Sequence, residues 1–303
     1  MIENLPPSMR FIERDWLSAN QVLFFEDDGS ASVVDTGYVK HAALTCALVE
    51  RMLGGRPLTR ILNTHLHSDH CGGNAALAQR FGAAIFVPSG SFHLARDWQP
   101  EALSFTATGQ RCERFVPSGS IHAGQQLTLG ALTWEVHAAA GHDPQSIMLF
   151  APSHGILISA DALWEDGFGV TFPELSGESG FQEQQEVLQQ IESLQPKMVI
   201  PGHGPIFIDL DQALARARRR LAWLKEDPIR NARYALKVLV KFIMLDLEQA
   251  TEAQLFERLG ETQVFCDASA QAGLSSEHAL HWSLESLVGA GALQQQGELL
   301  ISP

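Results

Sequence analysis

Four side chains able to bind a metal ion lie within six consecutive residues of the chain. The segment Thr-His-Leu-His-Ser-Asp-His-Cys-Gly-Gly-Asn contains His65, His67, Asp69 and His70. Imidazole nitrogens and carboxylate oxygens are ligands that Zn²⁺ and related divalent cations accept. Because alternate residues of an extended strand share one face, His65 and His67 point the same way before the chain turns. The pattern predicts a metal site where a strand ends and a helix begins.

Three further candidate ligands follow apolar runs later in the chain. His142 comes after a run that ends near Ala138, Asp161 follows Ile-Leu-Ile-Ser-Ala, and His203 lies between two glycines after Met-Val-Ile-Pro. Each signal is weak by itself, because a histidine after a strand is more often structural. Their repeated position at strand ends, together with the first motif, predicts that they converge on one site.

The elements that must position these residues alternate between strands and helices over the first two-thirds of the chain, which is typical of an α/β architecture. Strands are expected at 21–25, 31–35, 60–64, 84–87, 127–129, 133–138, 147–150, 155–159 and 198–200, and helices at 41–53, 74–81 and 182–194. Beyond about residue 210 helical periodicity dominates, with helices expected at 211–224, 229–247, 252–259 and 276–288 and a hairpin at 292–301. Helices followed by a small hairpin predict a winged-helix-like second domain.

The overall composition argues against several classes of protein. The chain has 303 residues and a formal net charge of −14, whereas binding to a phosphate backbone needs clustered Lys and Arg. The four cysteines form no Cys-x-x-Cys pair, which argues against a zinc ribbon or a disulfide scaffold. The chain begins without a secretory signal and contains no stretch of membrane-spanning length, so we expect a cytoplasmic protein with no membrane partner.

The order of the motifs resembles the metallo-β-lactamase-fold hydrolase superfamily. The resemblance covers about residues 11–209 and rests on Val-Val-Asp-Thr-Gly around Asp35, on the His-x-His-x-Asp-His motif, and on the three later candidate ligands. It implies an αββα sandwich with a two-metal site at one edge. We therefore expect a catalytic domain at 1–209 and a smaller, mainly helical, winged-helix-like domain at 210–303.

The same resemblance implies a role for each candidate ligand. The first metal ion would be held by His65, His67 and His142, and the second by Asp69, His70 and His203, with Asp161 bridging the two ions. Asp35 would lie near the site without being a ligand.

This ligand set predicts a metal-dependent hydrolase. Two divalent cations that share a water lower its pKa and yield a hydroxide nucleophile near neutral pH. Asp69 and Asp161 are the expected catalytic carboxylates, and Asp69 would also orient the water or accept its proton. The expected substrate is a small molecule with an ester-like bond, such as a thioester or a lactone. Zn²⁺ suits five histidines and two aspartates, with iron and manganese as alternatives.

Other activities within the superfamily stay open. The Thr-His-x-His-x-Asp-His-x-Gly-Gly-Asn string is similar to that of glyoxalase II, but the stretch after Asp161 lacks the cysteine and arginine expected there. His70 argues against the commonest zinc β-lactamases. The two-domain order resembles the β-lactamase-like protein 2 group, some of whose members cleave RNA. A non-catalytic, metal-binding ligand sensor is a further alternative, against which the intact ligand set argues.

Charge argues against the RNA-cleaving alternative. Residues 242–303 contain one basic residue against nine acidic ones, a net charge of −8 that a phosphate backbone would repel. Four arginines on the preceding helix predict a solvated face or a domain contact: Arg216, Arg218, Arg219 and Arg220. The tail is therefore expected to shape the substrate pocket or to form a homodimer interface. An aromatic loop at 164–177 is expected to wall the pocket.

Overall fold

The first of two central sheets contains six strands. The computed structural model describes residues 5–303. The strands of this sheet, in both sequence and spatial order, are β1 (Met9–Ile12), β2 (Gln21–Phe25), β3 (Ala31–Val34), β4 (Leu58–Leu62), β5 (Ala84–Pro88) and β6 (Gly119–Ile121). The pairs β1–β2 and β2–β3 are antiparallel, and β3 to β6 are parallel. Because β3 and β4 run parallel, the segments that follow these two strands lie at the same edge of the sheet.

The second sheet contains five strands in the order β11, β10, β9, β8, β7. They are β7 (Gln126–Leu129), β8 (Leu132–Ala138), β9 (Ile147–Ala151), β10 (Ile156–Ala160) and β11 (Met198–Pro201). Only β10 and β11 pair in parallel, so the residues after both strands emerge together.

The two sheets pack face to face over an apolar layer. Val22 and Phe24 of β2 meet Trp134 and Val136 of β8 within one cluster of buried residues. The rings of Phe24 and Trp134 pack edge to face with their centroids 5.4 Å apart, a geometry that aromatic pairs favour. This inter-sheet core holds the two edges that carry the candidate ligands in register.

Helices cover both outer faces of the sandwich. On the first sheet lie α1 (Ala42–Leu53), α2 (Ser68–Cys71), α3 (Asn74–Phe81) and α4 (Phe92–Asp97), and on the second lie α5 (Phe181–Leu194) and α6 (Leu210–Glu226). Short 3₁₀ turns occur at Val39–His41, Ser89–Ser91 and Pro173–Ser176. The layers follow the order α, β, β, α, which confirms the predicted αββα sandwich.

The C-terminal region is mainly helical, as predicted. It comprises α7 (Ile229–Leu247), β12 (Gln249–Thr251), α8 (Glu252–Leu259), α9 (Gln263–Gln271), α10 (Ser276–Gly289) and the hairpin β13 (Gln294–Gln296) and β14 (Leu299–Ile301). Helix α8 begins with a capping box, in which Thr251 and Gln254 exchange hydrogen bonds. The hairpin forms a three-stranded antiparallel sheet with β12, which is compatible with the predicted winged-helix-like order.

Helix α6 packs its apolar face against α5 of the sandwich. Leu214, Leu221 and Leu224 of α6 share a buried cluster with Leu188 and Ile191 of α5. The boundary predicted at residue 210 would separate these two helices. We therefore propose a domain boundary at the Asp227–Pro228 turn between α6 and α7, since the core of α7 belongs to a separate cluster.

A buried carboxylate on α7 fixes the C-terminal region to the sandwich. The side chain of Asp246 is only 2% exposed. It accepts hydrogen bonds from Tyr38 Oη and Arg111 Nε, each at 3.1 Å. Lys40 Nζ donates to the carbonyl oxygens of Leu245 and Asp246 at 2.9 Å. Burial and the Asp246 charge raise the pKa of Tyr38 to about 12, so its hydroxyl stays a donor at neutral pH.

Replacement of Arg111 by Met is expected to lower the free energy of unfolding by about 1–3 kcal/mol, because it leaves a buried carboxylate short of a charged donor. We expect a loss in the lower half of that range, because the Arg111 side chain is 54% exposed and solvent screens its ion pair with Asp246. Urea unfolding measures the change. Arg80→Met is the matched control, since Arg80 and Glu50 are both more than half exposed, and its effect should stay below about 0.5 kcal/mol. Equal losses in the two variants would contradict the buried role of Asp246.

The described residues include no helix that is both long enough and apolar enough to cross a membrane.

Candidate metal centre

Three histidines form the first group of candidate ligands. His67 Nδ1 lies 3.1 Å from His65 Nε2 and 2.7 Å from His142 Nε2. Two nitrogens bound tetrahedrally to one Zn²⁺ at about 2.0 Å lie about 3.3 Å apart. The three nitrogens are therefore close to the spacing that a single ion requires.

Two carboxylates and two histidines form the second group. His203 Nε2 lies 3.1 Å and His70 Nε2 lies 3.9 Å from Asp69 Oδ2. Asp161 Oδ1 lies 3.3 Å from His70 Nε2. This mixture of imidazole and carboxylate suits a divalent cation.

Asp161 lies between the two groups. Its Oδ2 is 3.4 Å from His142 Nε2 in the first group and 3.9 Å from His203 Nε2 in the second. Trp164 Nε1 donates to Oδ1 at 3.2 Å, which orients the carboxylate. A single carboxylate thus reaches ligands of both groups.

The candidate ligands come from loops at one edge of the sandwich. His65 and His67 follow β4, and Asp69 and His70 lie on α2. The other three follow strands of the second sheet: His142 after β8, Asp161 after β10 and His203 after β11. The structure thus brings together all seven residues singled out from the sequence.

Glycines near the ligands are required by close approach. A Cβ on Gly202 would lie 2.2 Å from Asp161 Oδ1 and 2.9 Å from His70 Cε1. Gly72 and Gly73 both have negative φ, so no left-handed backbone requires glycine at either position. Side chains at these two positions would instead contact the Val39 nitrogen at 2.5 Å and the Thr36 carbonyl oxygen at 2.4 Å.

Hydrogen bonds behind the ligands hold two imidazoles in orientation. Asp35 Oδ2 lies 2.8 Å from His70 Nδ1 and also accepts from Thr64 Oγ1 at 2.8 Å. The Val170 carbonyl oxygen lies 2.6 Å from His142 Nδ1. In both cases the bond at Nδ1 leaves Nε2 free to bind a cation. Asp35 therefore contacts a candidate ligand without joining either group.

Electrostatics within the site differ between the two groups. Burial lowers the pKa of His67 and of His142 to about 4, and lowers that of His65 well below its usual range. Burial also opposes protonation of His70, but the neighbouring Asp161 and Asp35 carboxylates outweigh it and raise its pKa well above the usual value. Without an ion, burial thus favours neutral imidazoles in the first group, whereas the neighbouring carboxylates favour the protonated form of His70.

The residues fit a pair of divalent ions. His70 Nε2 is fully buried and has no hydrogen-bond partner among the described residues, although a buried polar atom without a partner is costly. It points toward Asp69 and Asp161, where a cation would complete its bonding. The first group would hold one ion through its three nitrogens, and the second group would hold another.

Aromatic side chains surround the candidate ligands. The ring of Trp164 lies 5.4 Å and that of Trp16 lies 6.5 Å from the His203 ring. The Phe172 ring lies 5.2 Å from His67. The expected aromatic loop thus contributes Trp164 and Phe172 to the cavity, whereas Phe168 from the same loop is fully buried in the core.

Sequence reasoning missed several residues of the cavity. Trp16 lies before β2, and Tyr234 and Phe242 lie on α7. Asp143 also lines the cavity, with Oδ2 3.6 Å from His67 Nε2. Its position directly after His142 was the one available signal. The aromatic residues carried none, because an aromatic residue at helical spacing predicts a buried face of any kind.

A family model described as the metallo-beta-lactamase superfamily matches residues 14–203, which span the sandwich and its ligands. The chain belongs to the metallo-beta-lactamase superfamily. The match ends at the last candidate ligand, so the C-terminal helices lie outside it.

Relatives within this superfamily include enzymes named hydroxyacylglutathione hydrolase. One from Anaeromyxobacter dehalogenans (strain 2CP-C) is 31% identical over 161 residues, which cover 53% of this chain and 52% of the relative. One from Xanthomonas oryzae pv. oryzae (strain MAFF 311018) is 27% identical over 261 residues, covering 82% of this chain and 86% of the relative. The chain spans about half the length of the first of these curated relatives.

A solved structure shares the fold along the whole chain. The crystal structure of a beta-lactamase domain protein from Burkholderia ambifaria covers 100% of this chain and 97% of its own, with a TM-score of 0.61 and 20% sequence identity. The likeness in fold thus includes the C-terminal helices as well as the sandwich.

Replacement of Asp35 by Asn is expected to weaken metal binding about 10- to 100-fold, because a carboxylate that orients a ligand imidazole typically contributes that much. Titration with a chromophoric metal chelator measures the affinity. Asp27→Asn makes the same chemical change in an exposed turn and should leave the affinity unchanged. Unaltered affinity in Asp35→Asn would show that the 2.8 Å contact with His70 does not support the ligand.

Proposed function

We propose that this chain is a metal-dependent hydrolase that cleaves an ester-like bond in a small molecule, with a thioester or a lactone as the substrate class. The observation that supports it most is the meeting of seven candidate ligands in two adjoining groups that Asp161 connects. Divalent ions held there supply Lewis acidity and a water of lowered pKa. Zn²⁺ is the proposed metal, because imidazole and carboxylate ligands suit it.

Asp69 is the proposed proton carrier. Hydrolysis joins the oxygen of water to the acyl carbon, breaks the C–S or C–O bond, and transfers a proton from the water to the leaving sulfur or oxygen. Asp69 lines the cavity and can hold that proton between the two steps. Burial would raise its pKa, but His70 and His203 lower it below the usual range and keep the carboxylate ionised.

The names of the relatives support a thioester or a related ester as the substrate. Both relatives described above are named for hydrolysis of a hydroxyacyl derivative of glutathione. The first match covers only about half of that relative. The similarity therefore supports the type of reaction more strongly than it supports a particular substrate.

The arginines of α6 argue against a phosphodiester substrate. Arg218 pairs with Glu192 at 2.6 Å, Arg216 lies 3.1 Å from Asp166, and Arg220 donates to the Phe168 carbonyl oxygen at 2.9 Å. Three of the four arginines predicted to form a solvated face or a domain contact thus bind acceptors within the protein, whereas Arg219 is exposed. Charges paired in this way contribute little to binding a nucleic-acid backbone.

Elemental analysis of the purified chain, followed by a substrate panel, tests the proposal. The panel contains a hydroxyacyl thioester, a lactone and an aryl phosphodiester, each assayed before and after chelation and after addition of Zn²⁺. We expect thioester or lactone turnover that chelation abolishes and Zn²⁺ restores. Turnover of the phosphodiester alone would overturn the proposal. Two bound ions without any turnover would instead favour the ligand sensor.

The cytoplasmic location and the homodimer stay predictions from the sequence. Sedimentation of the metal-loaded chain tests the homodimer directly.

A further inference from the structure

The cavity beside the metal centre is walled in part by the C-terminal helices. It encloses about 490 Å³, within the size range of small-molecule pockets. Helix α7 contributes Tyr234, Val238 and Phe242, and α9 contributes Val264 and Asp267. The helices that lie outside the matched family region therefore take part in forming the substrate site proposed above.

Neighbouring aromatic rings connect the candidate ligand His203 to α7. The Trp16 ring lies 6.5 Å from the ring of His203 and 6.4 Å from that of Phe242. Phe242 in turn packs edge to face on Tyr38 with the ring centroids 5.0 Å apart, which fixes its position. Val238 and Val264 extend the same wall with aliphatic side chains. Such a wall stabilises an apolar group of a substrate by removing it from water.

The charged side chains of this cavity carry one sign. No Lys or Arg is among the described residues that line it. Besides the ligands Asp69 and Asp161 and the neighbouring Asp143 at the metal centre, Glu101, Glu178 and Asp267 line it. Two divalent ions would offset the aspartates of the metal centre, but they would leave these three outer carboxylates uncompensated.

Two arginines near the lining residues are engaged elsewhere. Arg111, next to the lining residue Gln110, is bound to Asp246. The guanidinium of Arg220 stacks on the Tyr234 ring at 4.3 Å and donates to the Phe168 carbonyl oxygen. An anionic substrate would thus meet like charges without a basic partner. Because Glu101 and Glu178 are exposed and Asp267 is half-buried, this repulsion is strongest at low salt.

We propose that the site accepts esters or thioesters with an apolar, uncharged acyl arm and rejects substrates that carry carboxylates, glutathione conjugates included. Helices α7 and α9 hold the acyl arm, and the outer carboxylates Glu101, Glu178 and Asp267 repel anions. This inference rests on the proposed hydrolase function and narrows its substrate class. It separates this chain from the substrate for which its hydroxyacylglutathione hydrolase relatives are named.

A matched pair of thioesters tests the charge preference. Octanoyl-glutathione and the octanoyl thioester of glutathione diamide share the acyl arm and the peptide, but the diamide has no carboxylates. We expect kcat/KM for the diamide to be at least about tenfold higher at low salt, with a smaller ratio at high salt as the charges are screened. Equal values, or a preference for octanoyl-glutathione, would overturn the proposal.

An acyl-length series tests the apolar arm. Across acetyl to octanoyl thioesters of glutathione diamide, kcat/KM should rise about three- to fourfold for each added CH₂ until the cavity is filled. A flat series would exclude α7 and α9 as the acyl wall. The rise in kcat/KM per added CH₂ should be smaller in Val264→Ser, because this substitution removes apolar surface from α9.

The double variant Glu178→Gln/Asp267→Asn tests the outer carboxylates. It should reduce the ratio of the two kcat/KM values at least threefold, mainly by improving the anionic thioester. Glu277→Gln is the matched control, because Glu277 is exposed in the first turn of α10 and does not line the cavity. An unchanged ratio in the double variant would overturn the role of these carboxylates.

A binding measurement keeps this inference separate from the hydrolase proposal. S-octylglutathione and S-octylglutathione diamide are thioethers that cannot be hydrolysed, and calorimetry with the metal-loaded chain measures their affinities. We expect the diamide to bind at least about tenfold more tightly. Equal binding, or tighter binding of S-octylglutathione, would overturn the inference even if thioesters are hydrolysed. Preferential binding of the diamide without turnover of any thioester would refute the hydrolase and leave the pocket preference standing.

Discussion

Replacement of Asp161 by Asn is expected to lower kcat/KM by about a thousandfold and to reduce the metal content of the purified chain by at least one ion. The Asp161 carboxylate oxygens lie 3.3–3.9 Å from ligand nitrogens of both groups: His142 in the first group, and His70 and His203 in the second. An amide of the same shape removes one negative charge and turns an N–H donor toward a position where a cation would lie. The loss should therefore affect both groups at once.

Elemental analysis and steady-state kinetics on the same preparation measure this effect. Asp166→Asn is the matched control: it makes the same change in the same loop, and its side chain is 84% exposed. That control should retain the metal content and the activity of the unaltered chain. A variant Asp161→Asn that keeps two ions and loses less than tenfold in kcat/KM would contradict the bridging role.

Much of the candidate site could be predicted because four of its seven candidate ligands lie close together in the sequence. His65, His67, Asp69 and His70 lie in one short segment, and their residue types alone indicate a cation. Asp161 and His203 follow apolar runs that the structure confirms as β10 and β11. Strand ends can be located from hydrophobic patterns, so residues directly after them can be assigned to one sheet edge.

The cavity wall could not be predicted, because it depends on packing between distant parts of the chain. Trp16 and Phe242 lie far apart in the sequence, yet their rings are 6.4 Å apart. Periodicity predicted α7 from Ile229 to Leu247, as observed. It does not distinguish a helical face that packs in a core from one that also lines a pocket. The placement of α7 by the buried Asp246 contacts is what creates the wall.

The position of the domain boundary also depends on packing between elements. Helix α6 has a regular apolar stripe that includes Leu214 and Leu221, and such a stripe fits any apolar surface of matching shape. Its packing against α5 becomes visible only in three dimensions. Strand β12 and helix α9 were not predicted, because three residues are too few for a periodic pattern and α9 is rich in small and polar side chains.

Removal of the metal ions is expected to lower the melting temperature by roughly 10 °C at neutral pH. Ions at about a thousand times their dissociation constant stabilise the folded chain by about 4 kcal/mol, and each kcal/mol corresponds to about 2–4 °C for a chain of roughly this size. Calorimetric melting with a chelator, and then with Zn²⁺ restored, measures the change. A chelated chain that melts at the same temperature would exclude a structural contribution from the ions.

The pH dependence of the ion-free chain should reveal the two ligand groups separately. His67 and His142 have a pKa of about 4 in the folded chain and about 6.5 when unfolded. The stability they contribute is thus present above pH 6.5 and lost as the pH falls toward 4.

His70 has the opposite sign, because its pKa is raised in the folded chain. Its contribution is complete below pH 6.5 and is lost as the pH rises through the folded value. The ion-free chain should therefore be most stable near pH 6.5.

The affinity for metal ions should depend on pH differently in the two groups. Binding an ion to the second group must displace the His70 proton, so the affinity of that group should rise about tenfold per pH unit near neutrality. The first group, already neutral, should bind with little pH dependence above pH 5. Calorimetry in buffers of different ionisation enthalpy counts the protons released, and proton release by neither site would contradict a cationic His70.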